Sequence, residues 1–224
     1  MKLGVLLPTF REGADDALAR ADEVAAAGLD GVFAYDHLWP MGSPERPSLA
    51  PFALLAAIAA RHRDLWIAPL VARVTLVGTE HLVRQFTTLS ALAPGRVIAA
   101  LGTGDHLGEA ENRAYGLDAL DAAGRRMMLR DAAQALRSWL PVWIGAGGDA
   151  TNNMARELGV EINLWDYDPE RVAQMALAGP VNWAGPVPSD LPATLDGLER
   201  AGATWAVFSP QVSIDELREW RVSR

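Results

Sequence analysis

The sequence contains no cysteine. Disulfides, thiolate metal ligands and a cysteine nucleophile are therefore excluded together, which fits a cytoplasmic protein in a reducing compartment. Long apolar runs are missing too. The longest, FALLAAIAA at residues 52–60, falls well short of the roughly 18–20 residues that cross a bilayer. The opening MKLGVLLPTFREG has too short an apolar core for a signal peptide and reads as a first strand. Positive charge is in deficit: 20 Lys and Arg face 28 Asp and Glu, for a net charge of -8. Binding nucleic acid needs a basic surface, so no such partner is expected. The four histidines, His37, His62, His81 and His106, show no paired zinc-ligand spacing, so no metal site is expected. There is no GxSxG elbow for a serine hydrolase, and neither Walker nor Rossmann spacing occurs.

What is present is a soluble, globular composition, half apolar and 21% charged, in 224 residues. Strand-like and helical patterns alternate throughout. Strands are expected at Lys2–Leu7, Gly31–Tyr35, Leu65–Val71, Val97–Leu101, Pro141–Ile144, Val160–Trp165, Val181–Ala184 and Thr204–Phe208. Helices are expected over 14–28, 50–62, 79–93, 122–139, 150–158, 169–178, 188–201 and 213–220. Eight such repeats of buried, branched-rich strands suit a closed (β/α)8 (TIM) barrel better than an open doubly wound sheet. No linker or low-complexity tract divides the chain, so one domain over residues 1–224 is expected.

Three stretches carry candidate chemistry. In FAYDHLW, residues 33–39, Asp36 and His37 follow the second strand, where a barrel places its catalytic groups. Histidine titrates near neutrality and can move a proton, and Trp39 can stack on a flat ligand. The competing reading has Asp36 capping the turn and His37 packing beneath Trp39. In VIAALGTGDHLGEAEN, residues 97–112, Gly102 and Gly104 lack Cβ atoms, so a flat ring can lie against the backbone. Asp105 then stands at the rim as a proton-handling group or merely a helix cap; His106 and Glu109 read as solvated loop residues. In VWIGAGGDATNNMAREL, a strand, small residues and a helix start form a potential anion site, although Asp149 would repel a phosphate unless it caps its own helix. Asp36 and Asp105 could also serve a glycosidase, but glycine turns suit a flat, phosphate-bearing ligand better than a sugar chain.

Taken in order, KLGVLLPTF, AAAGLDGVFAYDHLW, RQFTTLSALAPGRVIAALGTGD, PVWIGAGG and LERAGATWAVFSP resemble the bacterial luciferase-like superfamily of flavin and deazaflavin oxidoreductases. The likeness spans nearly the whole chain. The DH pair and the acid after GTG are most similar to its deazaflavin (coenzyme F420) branch. The resemblance implies a hydride-transferring enzyme acting on a small organic substrate. Asp36 and His37 would lie beside the ring, with His37 as proton donor or acceptor, Trp39 on the reacting face and Asp105 nearby. Pro69 and Leu70 would belong to a bulged third strand, often with a non-proline cis peptide, that backs the ring. Gly102, Thr103 and Gly104 would border the cofactor, and Gly145, Ala146, Gly147 and Gly148 would receive its phosphate. An FMN-dependent monooxygenase is the alternative within the fold. Relatives carry long insertions before strand five and around strand seven, whereas ALRSWLPVWIG and GPVNWAGPVPSDL run straight through. GVEINLWD also replaces the usual Gly-Asp-Gly. A compact variant with shortened insertions is therefore expected, whose site stands open, takes cover from a homodimer partner, or belongs to a trimmed barrel that binds without catalysis.

Overall fold

The computed structural model describes residues 1–104, 108–114, 116–117 and 120–224. Among them, nine strands form one parallel sheet: β1 (Lys2–Leu6), β2 (Gly31–Ala34), β3 (Trp66–Pro69), β4 (Ala72–Arg73), β5 (Ala99–Gly102), β6 (Val142–Gly145), β7 (Glu161–Trp165), β8 (Val181–Gly185) and β9 (Trp205–Phe208). The order β3-β2-β1-β9-β8-β7-β6-β5-β4 runs once around a barrel. Its seam is closed by two sets of contacts. Ile67 bridges Val97, and β4 pairs with β5 through Ala72–Leu101 and Arg73–Gly102. The expected eight-strand barrel is therefore present, with its third strand split in two. The break falls at Leu70–Val71, whose peptide bond is cis, one residue beyond the Pro69–Leu70 position suggested by the resemblance.

The outer layer consists of α1 (Asp15–Ala26), α2 (Pro51–Arg61), α3 (Val74–Val77), α4 (Thr79–Leu92), α5 (Glu109–Ala114), α6 (Ala122–Leu136), α7 (Asp149–Leu158), α8 (Pro169–Ala176), α9 (Leu191–Arg200) and α10 (Ile214–Val222). The short α3 and α5 were not anticipated, because neither is long enough to show a helical period. Local chemistry sets several helix starts. The side chains of Asp121, Asp168, Asp190 and Ser213 accept N–H bonds at the first turns of α6, α8, α9 and α10. No helix among the described residues is long and apolar enough to cross a membrane.

Alternation along each strand separates two cores. Outward residues such as Val5, Val32, Ile144 and Phe208 pack under the helices. Inward residues fill the barrel with Leu6, Phe33, Trp143, Trp205 and Val207. Phe33 stacks on Trp143 at 5.5 Å, and Trp205 meets both edge-on at 5.6 and 5.7 Å. Rings this large fit because inward positions facing them are small. A Cβ on Gly4 would stand 2.4 Å from Phe33 Cε2, so only glycine leaves room there. At the N-terminal end, the Lys2 ammonium lies 4.3 Å from the centre of the Trp66 ring and caps this aromatic plug. The plug fills the lower barrel, which leaves the C-terminal mouth for chemistry.

Candidate functional site

Strand β2 carries the chain to the mouth, where Tyr35, Asp36 and His37 follow in sequence. Asp36 is drawn against the split third strand. Its carboxylate accepts a bond from the Arg73 backbone N–H at 2.9 Å, and its carbonyl accepts one from Arg73 Nε at 2.9 Å. The Arg73 side chain, only 4% exposed, then reaches Glu111 on α5, where Nη2 donates to Oε2 at 2.5 Å. Glu111 is 1% exposed and also accepts from the Leu38 backbone N–H at 2.8 Å. Its other oxygen lies 2.8 Å from His37 Nδ1.

This carboxylate organises the site. Held against a guanidinium, Glu111 is ionised and can only accept, so Nδ1 of His37 carries the hydrogen of that bond. Nε2 has no hydrogen-bond partner among the described residues. The site therefore holds an imidazole of fixed tautomer beside a buried ion pair. Burial pushes the Asp36 carboxyl up from its ordinary value, and Glu111 adds to the rise. The Arg73 N–H and guanidinium, together with His37, pull the other way without cancelling it.

The same strand break draws the glycine turns together. A Cβ on Gly102 would lie 2.4 Å from Val71 Cγ2, and one on Gly145 would lie 3.7 Å from both Val71 methyls. The atom that Gly102 lacks thus makes room for a neighbouring side chain. Gly104 has a positive φ of 64° and sits beside Arg73 Cδ and Thr75 Oγ1. Arg73 Nη1 and Thr75 Oγ1 are buried without a partner among the described residues. Farther along, the Ala146 N–H donates to the Asn163 carbonyl at 2.8 Å, and the Gly147 N–H donates to Asn152 Oδ1 at 3.2 Å. Those two amides are committed internally. The amides of Gly148, Asp149 and Ala150 remain at the start of α7, and nothing lies within 4 Å of a Cβ built on Gly148.

An aromatic rim completes the mouth. Phe10 stacks on Tyr35 at 5.4 Å, and Tyr35 meets Trp165 at 6.2 Å. Trp165 is 45% exposed. Burial raises the Tyr35 phenol above its ordinary value, and Ser209 opposes that shift. Trp39 is half-buried in the loop after β2 and joins no aromatic pair among the described residues. Asp105 and His106 lie outside the described residues. Among the described residues no group of three or more His, Asp or Glu side chains has metal-holding geometry.

Of the residues expected at the site, the fold gathers Asp36, His37, Pro69, Leu70, Gly102, Gly104 and Gly145 around the third-strand break. Sequence reasoning missed Arg73 and Glu111. Arg73 had a signal, being a lone cation in the apolar run IAPLVARV, where burial demands a partner. Glu111 had none, since it sits among polar neighbours in GEAENRA.

The chain is a parallel α/β-barrel with acid, imidazole and glycine turns at its C-terminal mouth, the end where barrel enzymes carry their chemistry. Residues 1–140 match the family model described as luciferase-like monooxygenase, and the chain belongs to that family. It is 27% identical over 227 residues to an F420-dependent glucose-6-phosphate dehydrogenase of Microbacterium testaceum, covering 88% of this chain and 60% of that protein. It is 35% identical over 125 residues to an F420-dependent glucose-6-phosphate dehydrogenase of Intrasporangium calvum, covering 54% of this chain and 36% of that protein. Each match thus spans less than two thirds of the relative's own length. In fold the chain resembles an F420-dependent secondary alcohol dehydrogenase solved with an F420-acetone adduct, with a TM-score of 0.77, 13% identity and 97% of each chain covered.

Two outcomes follow from the buried network. Replacing Glu111 by Leu strands Arg73 and should cost about 3–5 kcal/mol in denaturant unfolding. The pair Arg73→Met with Glu111→Leu should recover a large part of that loss; equal loss in the single and the pair would contradict the ion-pair account. A carboxyl whose folded pKa is raised favours folding most at low pH and loses that advantage as pH rises through the folded pKa. The stability of the parent relative to Asp36→Asn should therefore fall as pH rises from about 3 to about 7. Unfolding curves at several pH values test the sign, and a relative gain on raising the pH would refute it.

Proposed function

We propose that this chain is an oxidoreductase that moves a hydride between a deazaflavin, coenzyme F420, and a small organic substrate. The observation that carries the reading is His37, fixed through Nδ1 by buried Glu111, with no partner for Nε2 among the described residues. When bound, a deazaflavin supplies a carbon centre that exchanges a hydride and resists one-electron reaction with oxygen. The residues present fit such a group. Arg73 Nη1 and Thr75 Oγ1 are buried and unpartnered among the described residues, beside the Gly104 turn. Aromatic side chains line the mouth, and open amides stand at the start of α7.

In this reading Pro69, Leu70 and Val71 back the ring, while Asp36, Gly102, Thr103 and Gly104 border it. Trp39 and Asp105 belong to its reacting side. The Gly145–Gly148 turn receives the phosphate through the amides of Gly148, Asp149 and Ala150, since those of Ala146 and Gly147 are already used. His37 Nε2 takes the proton from a substrate hydroxyl, or returns one to a carbonyl, and Glu111 stabilises the imidazolium that results. The reading assigns residues 1–224 to one catalytic barrel working in the cytoplasm.

Deazaflavin should bind the purified protein more tightly than FMN in a fluorescence titration. His37→Ala should slow hydride transfer by about 100-fold or more and leave the affinity largely intact. Tighter FMN binding with oxygen-dependent turnover would replace this reading by the monooxygenase one. Binding of either cofactor without turnover on any substrate would leave a binding barrel.

The chain is also proposed to act as a homodimer. Val77 and Leu92, 39% and 50% exposed, are apolar side chains left open at α3 and α4, and Ala53 and Ala57 of α2 are exposed nearby. Light scattering at micromolar concentration should give twice the chain mass, and a monomer would remove the proposal.

A further inference from the structure

Beside His37 the fold forms a partly open cavity of about 230 Å³ between the loop after β2, the start of α2, and α3 and α4. Its wall is mainly apolar, with Leu38, Leu49, Phe52, Leu76 and Leu82. Its polar groups are few: Asp36, His37, Ser48 and Gln85. The Ser48 hydroxyl is buried and has no partner among the described residues. A hydroxyl without a partner in the wall of a mainly apolar cavity leaves a hydrogen bond to be made, and a buried polar group left unpaired is costly.

We infer that this cavity binds a compact, uncharged alcohol or ketone with an apolar body, and that it does not bind a phosphorylated sugar. The inference rests on the oxidoreductase reading for the ligand's role as substrate, although the binding itself does not. Size is the first argument. An apolar cavity of about 150 Å³ accepts benzene, so this one has room for roughly nine non-hydrogen atoms.

Charge is the second argument. A phosphate dianion needs guanidinium, ammonium or clustered N–H donors. Among the described residues lining the cavity there is no lysine or arginine, and Asp36 contributes a carboxyl group. Arg73, the cation next to it in the network, has Nε and Nη2 bonded to Asp36 and Glu111 and does not line the cavity. Lys2 is the only lysine in the sequence and sits at the far end of the barrel, over Trp66.

Polarity within the cavity is the third argument. Ser48 Oγ and His37 Nε2, neither with a partner among the described residues, can engage one hydroxyl or carbonyl oxygen, while leucine and phenylalanine side chains take the carbon body. Among the described residues lining the cavity, no cation matches the phosphate of glucose 6-phosphate, the compound for which several relatives are named.

Saturation-transfer NMR on the cofactor-free chain tests this with three probes: cyclohexanol, cyclohexanone and glucose 6-phosphate. Cyclohexanol and cyclohexanone should give saturable signals, and glucose 6-phosphate none. Ser48→Ala should weaken cyclohexanol several-fold, and Leu76→Trp, which fills the chamber, should weaken it at least tenfold. Gln85→Trp narrows the cavity from its half-buried wall and gives a second blocking variant if Leu76→Trp unfolds. Saturable binding of glucose 6-phosphate, absence of cyclohexanol binding, or cyclohexanol binding unchanged in the blocking variants would overturn the inference. A deazaflavin titration on the same samples separates the two readings. Loss of cofactor binding with cyclohexanol binding intact defeats the hydride-transfer reading alone. Deazaflavin binding with a preference for glucose 6-phosphate defeats the cavity inference alone.

Discussion

The candidate site depends on one buried ion pair. Arg73 and Glu111 lie 38 residues apart and together are almost wholly withdrawn from water. An ion pair at such depth is held by the further hydrogen bonds that its two groups make. Glu111 bonds the imidazole of His37 and the backbone of Leu38; Arg73 gives Nε to the Asp36 carbonyl, and its Nη1 has no partner among the described residues. The requirement to satisfy two charges therefore fixes the loop after β2, the end of the third strand and α5 relative to one another. Positioning of the imidazole follows from electrostatics as much as from packing.

Below this network the barrel solves a volume problem. Phe33, Trp143 and Trp205 occupy the interior in mutual contact, and inward glycines on neighbouring strands supply the space. Close packing of rigid rings makes a floor that does not yield easily. Polar groups at the mouth can then be held at fixed distances, which proton transfer needs. Glycine at the top of the strands serves two purposes. Gly102 accommodates Val71, and Gly104 allows the turn with positive φ beside Arg73 and Thr75.

Much of the architecture was legible in the sequence, because strands buried on both faces read as unbroken apolar runs and helices show their period. The split of the third strand was not legible from the residues themselves, since IAPLVARV contains no turn residue between its halves. Only the family resemblance pointed there, and it fell one residue short. Asp36 and His37 could be found as a polar pair that ends an apolar strand. Glu111 could not, because its meaning comes from Arg73 and His37, which are remote in sequence. The Gly145–Gly148 turn was legible as small and flexible, but the use of its Gly147 amide by the Asn152 side chain depends on how α7 is oriented.

The contact between Val71 and Gly102 has a further consequence. The two positions share one volume across β4 and β5, with the methyl of one standing where the Cβ of the other would be. Neither can enlarge alone without pushing the strands apart. A substitution that enlarges residue 102 is tolerated only with a smaller residue 71, so the shape of the barrel rim changes at these two sites jointly or not at all.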